Sequence, residues 1–74
     1  MTQTIAEIDK TATEKVVATL SEFKGKQRID IRIYYQDDNN ESKPTKKGIN
    51  LSLDDWQEFK DLIKKVDQAI GKRN

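Results

Sequence analysis

An α+β fold, strands first and one helix last, follows from three features of this 74-residue chain. Ile29, Ile31, Ile33 and Tyr35 alternate with Arg28, Asp30, Arg32 and Tyr34, which is the period of a strand with one apolar and one wet face. Gly25 and the run Asp37-Asp38-Asn39-Asn40 bracket that strand with turn-forming residues. In the last third, Trp56, Phe59, Ile63, Val66 and Ile70 recur at helical spacing between a capping serine and a glycine.

The elements follow in chain order. Residues 1–14 are polar, with Ile5 and Ile8 scattered among Thr and Ala, and are expected to form a flexible N-terminal arm. Val16-Val17-Ala18-Thr19-Leu20 is short and β-branched, a strand with Val16, Ala18 and Leu20 on one face. Phe23-Lys24-Gly25-Lys26 supplies the glycine of a tight reversal, and residues 27–35 form the clearest strand. Beyond the Asp/Asn turn, residues 41–43 are expected to be a short strand broken at Pro44, and Gly48-Ile49-Asn50-Leu51 a separate final one. Ser52 is the N-cap of the helix, Asp55 its capping-box partner, and Asp54 and Asp55 complement the positive end of the helix dipole. Gly71 ends the helix, with Lys72 and Arg73 near its negative end. Leu62 and Ala69 widen the heptad seam into a stripe broad enough to serve two surfaces.

Size limits what such a chain does alone. A single domain of this length buries only about 60–65% of the surface its unfolded chain exposes. With no Cys and no His, neither a disulfide nor a Cys/His zinc site supplements the core, which leaves oligomerisation as the remaining device. The lack of Cys, of an apolar membrane span and of a signal-like N-terminus is what an intracellular protein would show.

The net charge of +1 conceals an asymmetry. Between residues 24 and 47, seven basic side chains (Lys24, Lys26, Arg28, Arg32, Lys43, Lys46, Lys47) face four acidic ones, a local charge of +3 against −2 for the rest. Three rings, Phe23, Tyr34 and Tyr35, are threaded through the same segment. Cations along a groove suit phosphates, and exposed rings suit unpaired bases, so this pattern points to single-stranded nucleic acid. In a regular strand Arg32 and Tyr34 share a face and Tyr35 points the other way, so Tyr35 joins the cations only through a bulge or strong twist. Asp37, Asn39 and Glu41 have the oxygen spacing of a calcium loop, but Ser42 and Gly48 stand where that loop has Gly and Glu, so the cluster reads as a polar turn. Nothing in the chain calls for a cofactor or for catalysis.

Phe23-Lys24-Gly25-Lys26, then Ile29-Asp30-Ile31-Arg32 with Tyr34, then Lys43-Pro44, Lys46-Lys47-Gly48-Ile49 and Leu51, and finally Trp56, together resemble the C-terminal domain of the transcriptional coactivator positive cofactor four family. The resemblance covers about residues 15–72 without gaps and defines residues 15–74 as the binding domain. It implies a curved four-stranded antiparallel sheet followed by one C-terminal helix (β-β-β-β-α), a homodimer through the helices, and single-stranded DNA across the sheet. By position, Phe23 and Tyr35 look like the stacking rings, and Lys24, Lys26, Arg32 and Lys47 like phosphate contacts. Arg28, Tyr34, Lys43 and Lys46 belong to the same basic segment, and Trp56, Phe59, Ile63, Val66 and Ile70 to the dimer seam. Departures are Tyr35 where the family has Trp, and Ser21 where it often has a cation. The implied role is in transcription regulation, replication or repair, in the nucleus of a eukaryote or the cytoplasm or nucleoid of a bacterial or viral system, alongside transcription or replication machinery. A dimeric protein-interaction adaptor built on the helix seam, and an RNA-binding protein, are the alternatives.

Overall fold

The computed structural model describes residues 2–71 and contains four strands and a helix: β1 (Thr2–Asp9), β2 (Glu14–Phe23), β3 (Lys26–Gln36), β4 (Ser42–Ser52) and α1 (Leu53–Gly71). The strands form one antiparallel meander in the order β1-β2-β3-β4, which confirms the expected α+β class and the β-β-β-β-α order. Lys72 and Arg73, expected beyond the helix end, lie outside the described residues.

Two strand assignments need correction. The stretch expected to be a loose arm contains β1, whose polar residues pair with β2 through the backbone from Thr2↔Ser21 to Asp9↔Lys15. Weak apolar patterning hid it, because an edge strand draws its stability from ladder hydrogen bonds and not from a buried face. Ile5 is the extra residue of a bulge between Thr4 and Ala6, a common device for twisting an edge strand away from unwanted partners. The stretches 41–43 and 48–51, expected as two strands, belong to one strand, β4, which begins at Ser42 and runs on through 44–47. Pro44 is tolerated within it because β4 is the other edge of the sheet.

Register divides the sheet into two faces. One carries Val16, Ala18 and Leu20 against Ile33, Ile31 and Ile29, with Ile49 and Leu51 beyond. The other carries Lys15, Val17, Thr19, Ser21 and Phe23 against Tyr34, Arg32, Asp30, Arg28 and Lys26. The isoleucine face was expected to be core, yet the two buried residues, Val17 and Thr19, belong to the polar face. Val17 stands between Glu7 and Arg32 in register, and the aliphatic stems of long polar side chains shade a small neighbour. The side chains of the isoleucine face are only half-buried, and Ile49 is exposed.

The helix covers little of the sheet. It touches only β3 and β4, and only Trp56 and Phe59 on its seam are half-buried, their rings stacked with centroids 5.9 Å apart. Further along, Leu62, Ile63, Val66 and Ile70 are all exposed. The radius of gyration of 14.6 Å exceeds the ~11 Å of a compact chain of this length, as expected for a helix lying largely off its sheet. The N-cap is as expected: Ser52 Oγ accepts from the Asp55 amide at 3.1 Å.

Candidate nucleic-acid interface

The cationic segment is organised by a hairpin tip and a bulge. At the tip, Phe23 pairs with Lys26 and the two loop residues Lys24 and Gly25 have φ of 52° and 77°. Both central residues at positive φ define a type I′ turn, whose twist matches that of the flanking strands. Gly25 adopts that conformation freely and Lys24 does so at some cost. Phe23 is 72% exposed, and the Lys24 ammonium lies 5.3 Å from its ring centroid. A large ring left this open next to cations contributes little to a core and presents a stacking face.

The bulge lies in β4. Between the pairs Arg32↔Gly48 and Tyr34↔Pro44, Ile33 alone of β3 faces Thr45, Lys46 and Lys47. Thr45 closes the loop: its hydroxyl donates to the Ile33 carbonyl at 2.8 Å and accepts from the Lys47 amide at 3.2 Å. Gly48 follows because a Cβ there would lie 2.7 Å from the Ile31 carbonyl oxygen and 2.8 Å from Arg32 Cβ. Lys47 lines a shallow hollow with Val16, Ile31 and Ile33, which is on the isoleucine face, so Lys47 opens away from the side chain of Arg32.

Arg32 is held on three sides. Its Nε and Nη2 donate to the two carboxylate oxygens of Asp30, each at 3.0 Å, and its Nη1 donates to the Thr45 carbonyl at 2.9 Å. Asp30 also accepts from Asn50 Nδ2 at 3.3 Å, and Asn50 Oδ1 in turn accepts from Arg28 Nε. The fork from Arg32 holds the Asp30 carboxyl below the usual carboxylate range against the opposing effect of burial, with the Asn50 bond and the guanidinium charge adding to it. The hydrogen bonds it donates to Asp30 raise the pKa of the Arg32 guanidinium in return.

The sequence-derived candidates therefore divide. Phe23, Lys26, Arg28, Arg32 and Tyr34 share the polar face by register, and Lys24 stands at its tip. Tyr35 does not join them: the bulge that could have re-aimed it lies in β4, so Tyr35 keeps the parity of the isoleucine face. It is 41% exposed and borders an open polar hollow with Asp9, Thr11 and Lys15. Lys43 is paired with Asp37 at 2.9 Å. That carboxylate also accepts from the amides of Asn39 and Glu41 at 2.9 Å, so the acidic cluster is the polar turn expected of it. The Glu41 amide first, and then Lys43, lower its pKa. Thr45, Asn50 and Asp30 did not figure among the candidates. Only Asp30 left a trace in the sequence, as a carboxylate two residues from Arg32 on the same strand face. Among the described residues no group of three acidic or other metal-ligating side chains could hold a metal ion, and no helix is long and apolar enough to cross a membrane.

Comparison with known proteins points the same way. A Caenorhabditis elegans protein described as a candidate RNA polymerase II transcriptional coactivator is 48% identical over 54 residues, 72% of this chain and 44% of that protein. The chain spans less than half the length of the curated relatives it matches. Among solved structures, MoSub1 in complex with DNA is 30% identical, with a TM-score of 0.64 over 93% of this chain and 85% of that one. The bacteriophage T5 homolog of the eukaryotic transcription coactivator PC4, implicated in recombination-dependent DNA replication, is 26% identical, with a TM-score of 0.63 over 97% and 90%. The family model Transcriptional Coactivator p15 (PC4) matches residues 10–62, within which lie the hairpin tip, the bulge and the first turns of the helix, and the chain belongs to that family.

Proposed function

We propose that this chain binds single-stranded DNA with little sequence preference, acting in transcription regulation, replication or repair, and that it does so as a homodimer. The observation that carries the reading is Phe23, held 72% exposed at the end of β2, next to Lys24 of the two-residue turn and opposite Lys26. A ring in that position offers a stacking face to an unpaired base, and the flanking ammonium groups meet the phosphates on either side. Arg28 and Arg32 extend the positive surface along the polar face, and Lys46 and Lys47 carry positive charge around the bulge at the β4 edge. Tyr34 shares the face of Phe23, whereas Tyr35 would meet a strand only where it passes the sheet edge. The MoSub1 complex supports DNA as the class of ligand.

The dimer rests on exposed apolar surface. Ile63, Val66 and Ile70 are 47%, 51% and 58% exposed on one seam, and the isoleucine face of the sheet is only half-buried. Pairing two copies through Trp56, Phe59 and those residues would remove both from water, as patches of this kind demand.

The deciding experiment is a titration of a ~20-nucleotide single strand against the matching duplex across a range of salt. If each subunit neutralises about four phosphates, log affinity falls with log salt at a slope near −3, from about −0.7 per phosphate. Equal affinity for strand and duplex, or a flat salt response, would remove the interface. An RNA strand of the same sequence belongs in the same series, because stacking and phosphate contacts do not sense the 2′-hydroxyl.

A further inference from the structure

A carboxylate in the middle of a surface offered to phosphates is electrostatically adverse, yet Asp30 is the residue around which the polar network of that surface is built. It accepts a fork from Arg32 and a third bond from Asn50, and Asn50 accepts from Arg28, so one carboxylate links both arginines of β3 to β4. The pair is partly sheltered, with Arg32 and Asp30 side chains 24% and 20% exposed. A guanidinium carries five N–H donors. Two go to Asp30 and one to the Thr45 carbonyl, which leaves one N–H on each terminal nitrogen of Arg32.

Two consequences follow for a phosphate arriving at this face. Displacing Asp30 would break a forked ion pair and leave a carboxylate beside the phosphate. Adding to the two remaining N–H groups costs neither. In the second arrangement Arg32 brings no net positive charge, because Asp30 already neutralises it. The salt dependence of binding counts phosphates neutralised by cations, not hydrogen bonds made. We infer that Arg32 serves as an oriented hydrogen-bond donor to phosphate, with Asp30 as its positioning residue, while the counter-charge is supplied by the lysines of the hairpin tip and the bulge. This assignment rests on the single-stranded DNA reading above and specifies how one residue of that site works.

Affinity for a ~20-nucleotide strand, measured against salt for the full chain and four variants, tests it. Lys47→Gln is expected to lower the slope by about 0.7. The double variant Asp30→Asn/Arg32→Gln removes the neutral pair together, and is expected to weaken binding on the order of tenfold at every salt concentration with the slope unchanged. Arg32→Lys keeps the charge but not the fork, and is expected to be as weak as the double variant. Asp30→Asn alone is expected to weaken binding although it removes a negative charge, and to steepen the slope as Arg32 becomes an unpaired cation. Tighter binding by Asp30→Asn, wild-type behaviour of Arg32→Lys, or loss of slope in the double variant would each overturn the assignment. Arg32→Lys decides the matter if the variants lacking Asp30 do not fold. A flat salt response of the unmodified chain would instead remove the whole interface, and this role with it.

Discussion

The Thr45 hydroxyl donates a 2.8 Å hydrogen bond to the Ile33 carbonyl, and through it the cationic bulge of β4 is tied to the central strand beside it. The same oxygen accepts from the Lys47 amide, so one side chain sets the path of the backbone bearing both Lys46 and Lys47. Thr45→Val keeps the shape and removes both bonds. Stability should fall by about 1 kcal/mol, the usual net worth of such a bond, and affinity for single-stranded DNA should fall with it. Denaturant midpoints and binding of Thr45→Val and Thr45→Ser should show the Ser variant close to wild type; a loss in Thr45→Ser with none in Thr45→Val would assign the effect to the methyl group.

Gly48 is needed for space and not for an unusual backbone conformation. Gly48→Ala would push a methyl group against the Ile31 carbonyl and Arg32 Cβ, neither of which is the far end of a flexible side chain. A loss of about 1–3 kcal/mol is expected, the cost of overpacking. Urea unfolding measures it, and an unchanged midpoint would mean that β3 and β4 do not approach this closely.

Phe23 separates binding from folding. Because the ring is exposed, Phe23→Ala should change stability by no more than about 0.5 kcal/mol. Binding of a single strand should weaken by about 1–3 kcal/mol, the contribution of one stacked base. Thermal unfolding alongside titration distinguishes the outcomes: a domain that melts early would show the ring to be packing and not a platform.

Acid should unfold the protein through two carboxylates. Asp30 and Asp37 both have folded pKa values below the ordinary one, Asp30 through Arg32 and Asp37 through the Glu41 amide and Lys43. A depressed carboxylate contributes stability that is fully present above the unfolded value, about 3.9, and is lost as pH falls through the lower folded value. Stability should therefore drop below about pH 4, and Asp30→Asn and Asp37→Asn should each show a smaller drop over that range. Urea midpoints at about pH 6 and about pH 3 are the measurement, and drops as large as that of the wild type would contradict it.

Val66 tests the seam. It is 51% exposed in one chain, so Val66→Glu should leave the protomer folded while placing a charge in the proposed helix interface. Sedimentation should give the mass of two copies for the wild type and of one for the variant. A wild type that sediments as one copy would leave the isoleucine face without its proposed cover.

How much of this was legible beforehand depended on the range of the interaction. The β3 alternation, the Gly25 reversal, the Asp/Asn turn and the Ser52 cap are local, decided by side chains within a few residues of one another, and each could be read directly. β1 was missed because the ladder of an edge strand leaves no apolar signature, and β4 was split because Pro44 and the cations at 46 and 47 look like a break when the bulge that accommodates them is not visible.

By itself, then, the sequence determined the class of the fold, the order of its elements, the placement of charge and aromatic rings in the middle third, and a helix with more apolar surface than one small sheet can cover. Only the tertiary structure decided which of those side chains meet. Pairing with β4 brings the Thr45 carbonyl to Arg32 and Asn50 to Asp30 and Arg28, and it places the bulge in β4, so that β3 stays regular and Tyr35 keeps the opposite face. Such pairing and such bulges belong to the partner strand and are not encoded within the strand that carries the residue.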